Sequence, residues 1–199
     1  MHKGRLEAFS DAVIAIALTI MVLELKVPHS PEITALAALW PVFLTYVLSF
    51  VYIGIYWNNH HHMFQAVERV DGGVLWANMF TLFWISLIPF VTGWMGENHF
   101  ASLPMALYGV VLLGAGVGYA LLAWSLRRIH AEGSVFARAL GTGTKEKVSL
   151  VCYLAAIPLA FATHWGAFTI YVLVGVLWLI PDRRYARQLT GDAKETSPP

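Results

Sequence analysis

The sequence predicts an all-α integral membrane protein with six transmembrane helices, and three observations lead to that prediction. Hydrophobic residues make up 58% of the 199 positions, and the mean hydropathy is +0.62. Only 13% of the residues are charged, which is about half the fraction found in a soluble domain. Apolar segments recur along the chain at lengths near the ~20 residues that a helix needs to cross a bilayer. We therefore expect the surplus apolar surface to face lipid.

Six apolar segments follow one another, separated by polar or proline-containing connections. The first ends at a loop that contains Pro28 and Pro31. His164 and Trp165 separate the last two segments, which predicts a tight hairpin. The segments cover residues 9–25, 36–57, 74–94, 104–126, 148–163 and 166–180. Together they predict one transmembrane domain over residues 1–181 and a polar tail over residues 182–199.

The basic residues predict the orientation of the chain. If the six segments alternate in direction, twelve of the thirteen Lys and Arg residues fall on one side and only Lys26 on the other. Because the basic side of a membrane protein faces the cytoplasm, both termini are predicted to be cytoplasmic. We expect a multi-pass protein of the cell inner membrane or plasma membrane. The net charge of +1 gives no indication of a nucleic-acid partner.

The first segment combines an apolar stripe with polar residues on a different face. At ~100° per residue the stripe falls about 120–130° from Asp11. Its members are Ile16, Thr19, Ile20 and Leu23. An ionisable side chain inside a membrane helix needs a partner and often marks function. Spacing alone leaves open that the stripe is ordinary helix packing and that Ser10 and Asp11 only cap the helix.

Three consecutive histidines, His60 to His62, follow the second segment at its predicted cytoplasmic end. Adjacent side chains on a helix point ~100° apart, so they do not converge on one metal ion without help from other helices. We therefore predict no metal site, and expect one of these histidines or Asn59 to reach Ser10 and Asp11. Asn78 is a second candidate at that depth, although a local hydrogen bond would explain it equally well. No phosphate loop, nucleophile elbow or HExxH motif is present, so we predict no enzyme and no cofactor.

Four motifs in the first half of the chain resemble those of the transmembrane protein 175 family, which includes an endosomal and lysosomal potassium channel. They are Arg5-x-x-x-Phe9-Ser10-Asp11, Trp57-x-Asn59-His60-His61-x-x-Phe64, Leu75-Trp76-x-Asn78 and Leu87-x-Pro89-Phe90-x-Thr92. The second half of the chain is similar only in its number of helices. The bacterial members of the family carry one six-helix unit, as this chain does.

The resemblance implies a homotetramer whose first helices line a central pore that conducts K⁺ in preference to Na⁺. The constriction would fall at Ile16, with Ile20 and Leu23 further along the same face and Thr19 as a pore-facing hydroxyl. The polar face would attach helix one to helices two and three through Arg5, Ser10 and Asp11. Their partners would be His and Asn side chains. The only bound ion implied is the permeating K⁺.

Two other functions compete with a potassium channel. A proton-coupled secondary transporter would use Asp11 and the three histidines as a relay, and would normally show broken helices or repeated halves. A non-conducting scaffold would use the motif residues only to hold the bundle together. The resemblance also leaves proton conduction through the same pore open.

Overall fold

The structure is a computed structural model that describes residues 3–65, 67, 69–130 and 143–179, and these residues form helices and short connections. The predicted tail, residues 182–199, lies outside the described residues. Within the described ranges no strand occurs. The helices are α1 (Lys3–Leu23), α2 (Ile33–Ala37), α3 (Trp40–Gln65), α4 (Gly72–Ser86), α5 (Ile88–Glu97), α6 (Ser102–Ile129), α7 (Thr144–Ala162) and α8 (His164–Leu179).

Two helices extend beyond the apolar segments that predicted them. α1 begins at Lys3, six residues before the apolar segment, and α3 continues to Gln65 through the polar run that starts at Asn58. Hydropathy marks the part of a helix that contacts lipid, whereas backbone hydrogen bonds continue wherever the helical conformation is allowed. The three histidines therefore lie within the last turns of α3 and not beyond its end.

The third apolar segment is divided between α4 and α5. Leu87 separates them in a near-helical conformation, with φ −85° and ψ −13°, and Pro89 stands in the first turn of α5. Proline has no N–H to donate to the preceding turn, which explains the interruption. Since the chain direction is nearly kept, α4 and α5 together form one apolar segment, Gly72–Glu97, of 26 residues.

Four segments of the described chain are long and apolar enough to cross a membrane: Lys3–Leu23, Trp40–Gln65, Gly72–Glu97 and Ser102–Ile129. α8 is apolar but has 16 residues, or about 24 Å of helix. α7 carries Lys145, Glu146 and Lys147 in its first turns. α7 and α8 are joined at Thr163 and pack against one another as the predicted hairpin. The expectation of six spans therefore remains a prediction.

Small residues allow α6 to lie close to α4 at the centre of the bundle. A Cβ atom built on Gly118 would lie 2.8 Å from the Cα of Thr81, and one built on Gly114 would contact the ring of Trp84. α6 also packs on α5, α7 and α8. α1 packs on α3, α4 and α5, so it lies at one side of the bundle with part of its surface uncovered.

Candidate functional site

α1 has one face buried against its own bundle. The buried residues recur every three or four positions, as expected for one side of a helix. They are Leu6, Ser10, Ile14, Ala17 and Met21. The central part of this face is apolar and packs into the main hydrophobic core with residues of α3 and α5, including Ile53 and Val91.

The opposite face of α1 is uncovered and carries the predicted stripe. Ile16 is 58% exposed, Ile20 42% and Leu23 76%. Thr19 is exposed as well, and its hydroxyl donates to the carbonyl of Ala15 at 2.9 Å. An apolar strip of this length needs lipid or another protein chain to cover it.

Arg5 and Phe9 continue this exposed face toward the start of α1. Both lie within about 40° of the direction of Ile16 on the helical wheel. The contact of Arg5 with His or Asn side chains of the neighbouring helices therefore stays a prediction. The side chain lies on the face that the bundle leaves uncovered, together with the stripe.

A buried chain of hydrogen bonds connects α1, α4 and α3. The Asn78 amide nitrogen donates to the Ser10 hydroxyl at 2.9 Å, and the Asn78 carbonyl oxygen lies 2.9 Å from Nε2 of His60. Ser10 itself donates to the carbonyl of Leu6 at 2.9 Å. Because the Asn78 oxygen can only accept, His60 carries its proton on Nε2. All three side chains are buried. Because water does not reach them, these hydrogen bonds satisfy polar groups that would otherwise have no partner.

Asp11 has a different partner from the one expected. The indole Nε1 of Trp57 donates to Oδ1 of Asp11 at 3.1 Å, on the exposed side of the α1–α3 contact. The prediction that a histidine or Asn59 pairs with Asp11 is wrong, because Trp57 occupies that place. The Asn59 amide donates instead to the carbonyl of Ile55 at 2.8 Å. The carboxylate therefore accepts a charge-assisted hydrogen bond from an aromatic side chain.

The three histidines have different surroundings. The His60 ring stacks on Phe64, with centroids 4.5 Å apart, and faces the interior. The His61 ring stacks on Trp57, with centroids 5.8 Å apart, and its Nε2 lies 2.9 Å from the Gln65 amide nitrogen. Within the part of the chain that the structure describes, no group of three His, Cys, Asp or Glu side chains could hold a metal ion. His60 therefore connects α3 to α4 through Asn78, and His61 packs against the indole ring of Trp57.

Sequence reasoning missed one ion pair at the far end of α1. Lys26 follows α1 and lies 2.6 Å from the Glu97 carboxylate at the end of α5. This hydrogen bond and the charge of Glu97 raise the pKa of Lys26 above its ordinary value. Lys26 is the single basic residue predicted on that side, which is the signal that could have identified it.

Comparison with known proteins agrees with the motifs. The family described as "Endosomal/lysosomal potassium channel TMEM175" matches residues 5–89. A protein of Chryseobacterium sp. (strain P1-3) named as a potassium channel is 47% identical over 189 residues, which cover 95% of this chain and 98% of that protein. One of Streptomyces collinus, also named as a potassium channel, is 37% identical over 135 residues, covering 64% of this chain and 66% of that protein.

A solved structure shows the same fold. The crystal structure of a lysosomal potassium-selective channel TMEM175 homolog from Chamaesiphon minutus superposes with a TM-score of 0.78 at 27% identity. The match covers 89% of this chain and 96% of that one. With its apolar helices, this chain is thus a multi-pass membrane protein, and it belongs to the TMEM175 channel family.

Proposed function

We propose that this protein is a cation channel that conducts K⁺ passively and in preference to Na⁺. Four copies would assemble around a fourfold axis with α1 lining the pore. The names of the bacterial relatives support the choice of ion, and the described surface of α1 supports the choice of pore helix. In this proposal the chain crosses the inner or plasma membrane six times, with both termini in the cytoplasm.

The observation that carries the proposal is the division of α1 into a buried and an uncovered face. The buried face makes the contacts that any bundle helix needs, so these do not explain the exposed stripe. Ile16, Ile20 and Leu23 follow one another at spacings of four and three residues, which keeps them on one line along the helix. Fourfold symmetry would convert each of them into a ring of four side chains around one axis.

A ring of four Ile16 side chains would act as a hydrophobic gate. Branched aliphatic side chains offer no ligands to a cation, so a narrow ring excludes water and blocks conduction until it widens. Because such a ring cannot replace the hydration shell of K⁺, we expect modest discrimination against Na⁺. The Thr19 hydroxyl, about 4.5 Å further along the helix, would contribute oxygen ligands next to the gate.

The decisive test compares K⁺ and Na⁺ flux in liposomes that contain the purified protein or its Ile16→Asn variant. The amide should hydrate the constriction and increase flux, with loss of K⁺ preference. Val22→Asn is the matched control, because Val22 is exposed on the same helix but lies about 120° from Ile16 around it. We expect flux in that variant to equal the unmodified protein.

Three other results would change the assignment. Equal flux in the Ile16→Asn variant would exclude Ile16 as the gate. Saturable exchange coupled to a proton gradient would indicate the secondary transporter. No flux from folded protein, with a monomeric or dimeric state in detergent, would indicate the scaffold. A pH-sensitive dye inside the same liposomes would show whether protons pass through the pore.

A further inference from the structure

A small cavity lies between α3, α6, α7 and α8, at the end of the bundle where α1 begins. It lies outside α1 and its polar contacts, and the proposed pore does not use it. Its volume of about 30 Å³ gives room for about two water molecules. Five of the ten residues that line it are aromatic: Tyr52, Tyr56, Tyr119, Tyr153 and Trp178.

Hydrogen bonds and one ring contact fix the orientation of three of these aromatic side chains. The indole nitrogen of Trp178 donates to the Ser149 hydroxyl at 2.8 Å, and Ser149 donates to the carbonyl of Lys145 at 2.8 Å. Trp178 and Tyr119 meet edge to face, with centroids 6.3 Å apart. The Tyr52 hydroxyl donates to the carbonyl of Tyr171 at 2.6 Å. These three rings are therefore held in place before any ligand arrives.

The wall is largely apolar, and one of its few polar side chains is negatively charged. Glu146, half-buried in the first turns of α7, is the one charged residue among those that line the cavity. Its carboxylate forms no ion pair within the described ranges of the chain. The neighbouring Lys145 and Lys147 do not line the cavity. Asn59 also lines the cavity. Its amide nitrogen donates to the carbonyl of Ile55, and its side-chain carbonyl oxygen remains as an acceptor.

We propose that this cavity binds a primary alkylammonium group. Aromatic faces attract a cation through their quadrupoles, while Glu146 and Asn59 supply acceptors for its N–H groups. The available volume matches the two non-hydrogen atoms of a terminal methylene and its ammonium nitrogen. The same chemistry is found in a free amine and in the head group of an ethanolamine phospholipid. A phospholipid head group could approach because Asn59 lies about 28 Å along α3 from Trp40, near the expected membrane boundary.

Binding of methylammonium chloride to the full-length protein in detergent tests the proposal without measuring conduction. Saturation-transfer NMR of the methyl group should show saturable binding that equal concentrations of NaCl do not abolish. Glu146→Gln keeps the shape of the side chain and should weaken binding at least about tenfold, because one charge-assisted hydrogen bond is lost. Glu32→Gln, which alters an exposed acid far from the cavity, should bind as the unmodified protein does.

A second measurement distinguishes the two sources of the ammonium group. Native mass spectrometry is applied to protein purified from mixed phosphatidylethanolamine and phosphatidylglycerol. Preferential retention of phosphatidylethanolamine, lost in Glu146→Gln, supports a lipid head group even if methylammonium does not bind. Saturable methylammonium binding without lipid retention supports a free amine. The proposal is overturned if neither ligand binds, or if Glu146→Gln binds as well as the unmodified protein. The cavity would then hold only water.

Discussion

Replacing Asn78 by Ala should destabilise the bundle strongly, because this amide connects two other buried side chains. The substitution removes the hydrogen bonds to Ser10 and His60, both 2.9 Å long. Ser10 keeps its bond to Leu6, so it loses only an acceptor contact. The Nε2–H of His60 is left without a partner in a buried site, which costs about 1–3 kcal/mol. The cavity left by the shortened side chain raises the total to about 2–4 kcal/mol.

Asn59→Ala is the matched control for that substitution. Asn59 lies on α3 one residue before His60, but its amide donates to Ile55 within the same helix. We expect its removal to change stability by less than about 0.5 kcal/mol. Reversible unfolding of the two variants in mixed micelles with increasing SDS gives both free energies. Equal losses in the two variants, or a loss below about 0.5 kcal/mol for Asn78→Ala, would refute the assignment of a connecting role.

Three further predictions concern other contacts of the bundle. Gly118→Ala should lower the free energy of unfolding by about 1–3 kcal/mol, because the added Cβ would lie 2.8 Å from the backbone of Thr81. Gly54→Ala should instead stabilise α3 by about 0.5–1 kcal/mol, because a Cβ at that position would have no neighbour within 4 Å. Thermal unfolding of both variants checks the contrast. Trp57→Phe should lower stability by about 0.5–1.5 kcal/mol through loss of the bond to Asp11, and it should add little to Asp11→Ala in a double-mutant cycle. The pKa of Lys26 is raised in the folded protein, so its pairing with Glu97 stabilises the fold fully at pH values below the ordinary pKa of 10.5. This stabilisation is lost as the pH rises through the pKa that Lys26 has in the folded state. The difference in melting temperature between the protein and Glu97→Gln should therefore shrink in alkaline buffer.

The grouping of the stripe residues on one face of α1 could be predicted from the sequence because it depends only on helical periodicity; that this face is uncovered could not. Once residues 9–25 are taken as a helix, Ile16 and Thr19 must share a side with Ile20 and Leu23, whatever packs on the other side. The burial of Ser10 and Asn78 was foreseeable in the same way, since polar residues inside apolar segments need partners. Periodicity does not identify those partners, and it left several histidines and amides as equal candidates.

Contacts between distant residues could not be predicted from the sequence. The Trp57 indole is one of eight in the chain, and its bond to Asp11 depends on how α3 lies against α1. The extent of α3 was underestimated because hydropathy falls at Asn58 while the helix continues. The aromatic cavity is built from four helices, and no single segment contains enough of it to be recognised.

The polar contacts of α1 differ between its two ends, and this difference has a mechanical consequence. Near its start, the helix is held by the buried Ser10 bond and by the Lys3 ammonium on the carbonyl of Val67 at 2.9 Å. Beyond its end, the Lys26–Glu97 pair is exposed and therefore weak. If α1 pivots about Ser10, a tilt of about 5° moves the Ile16 position by about 0.8 Å and the Leu23 position by about 1.7 Å. Spin labels on Cys substituted at these two positions should report the larger displacement at Leu23. Because displacement grows with distance from Ser10, the same small tilt would widen the proposed pore more at Leu23 than at Ile16.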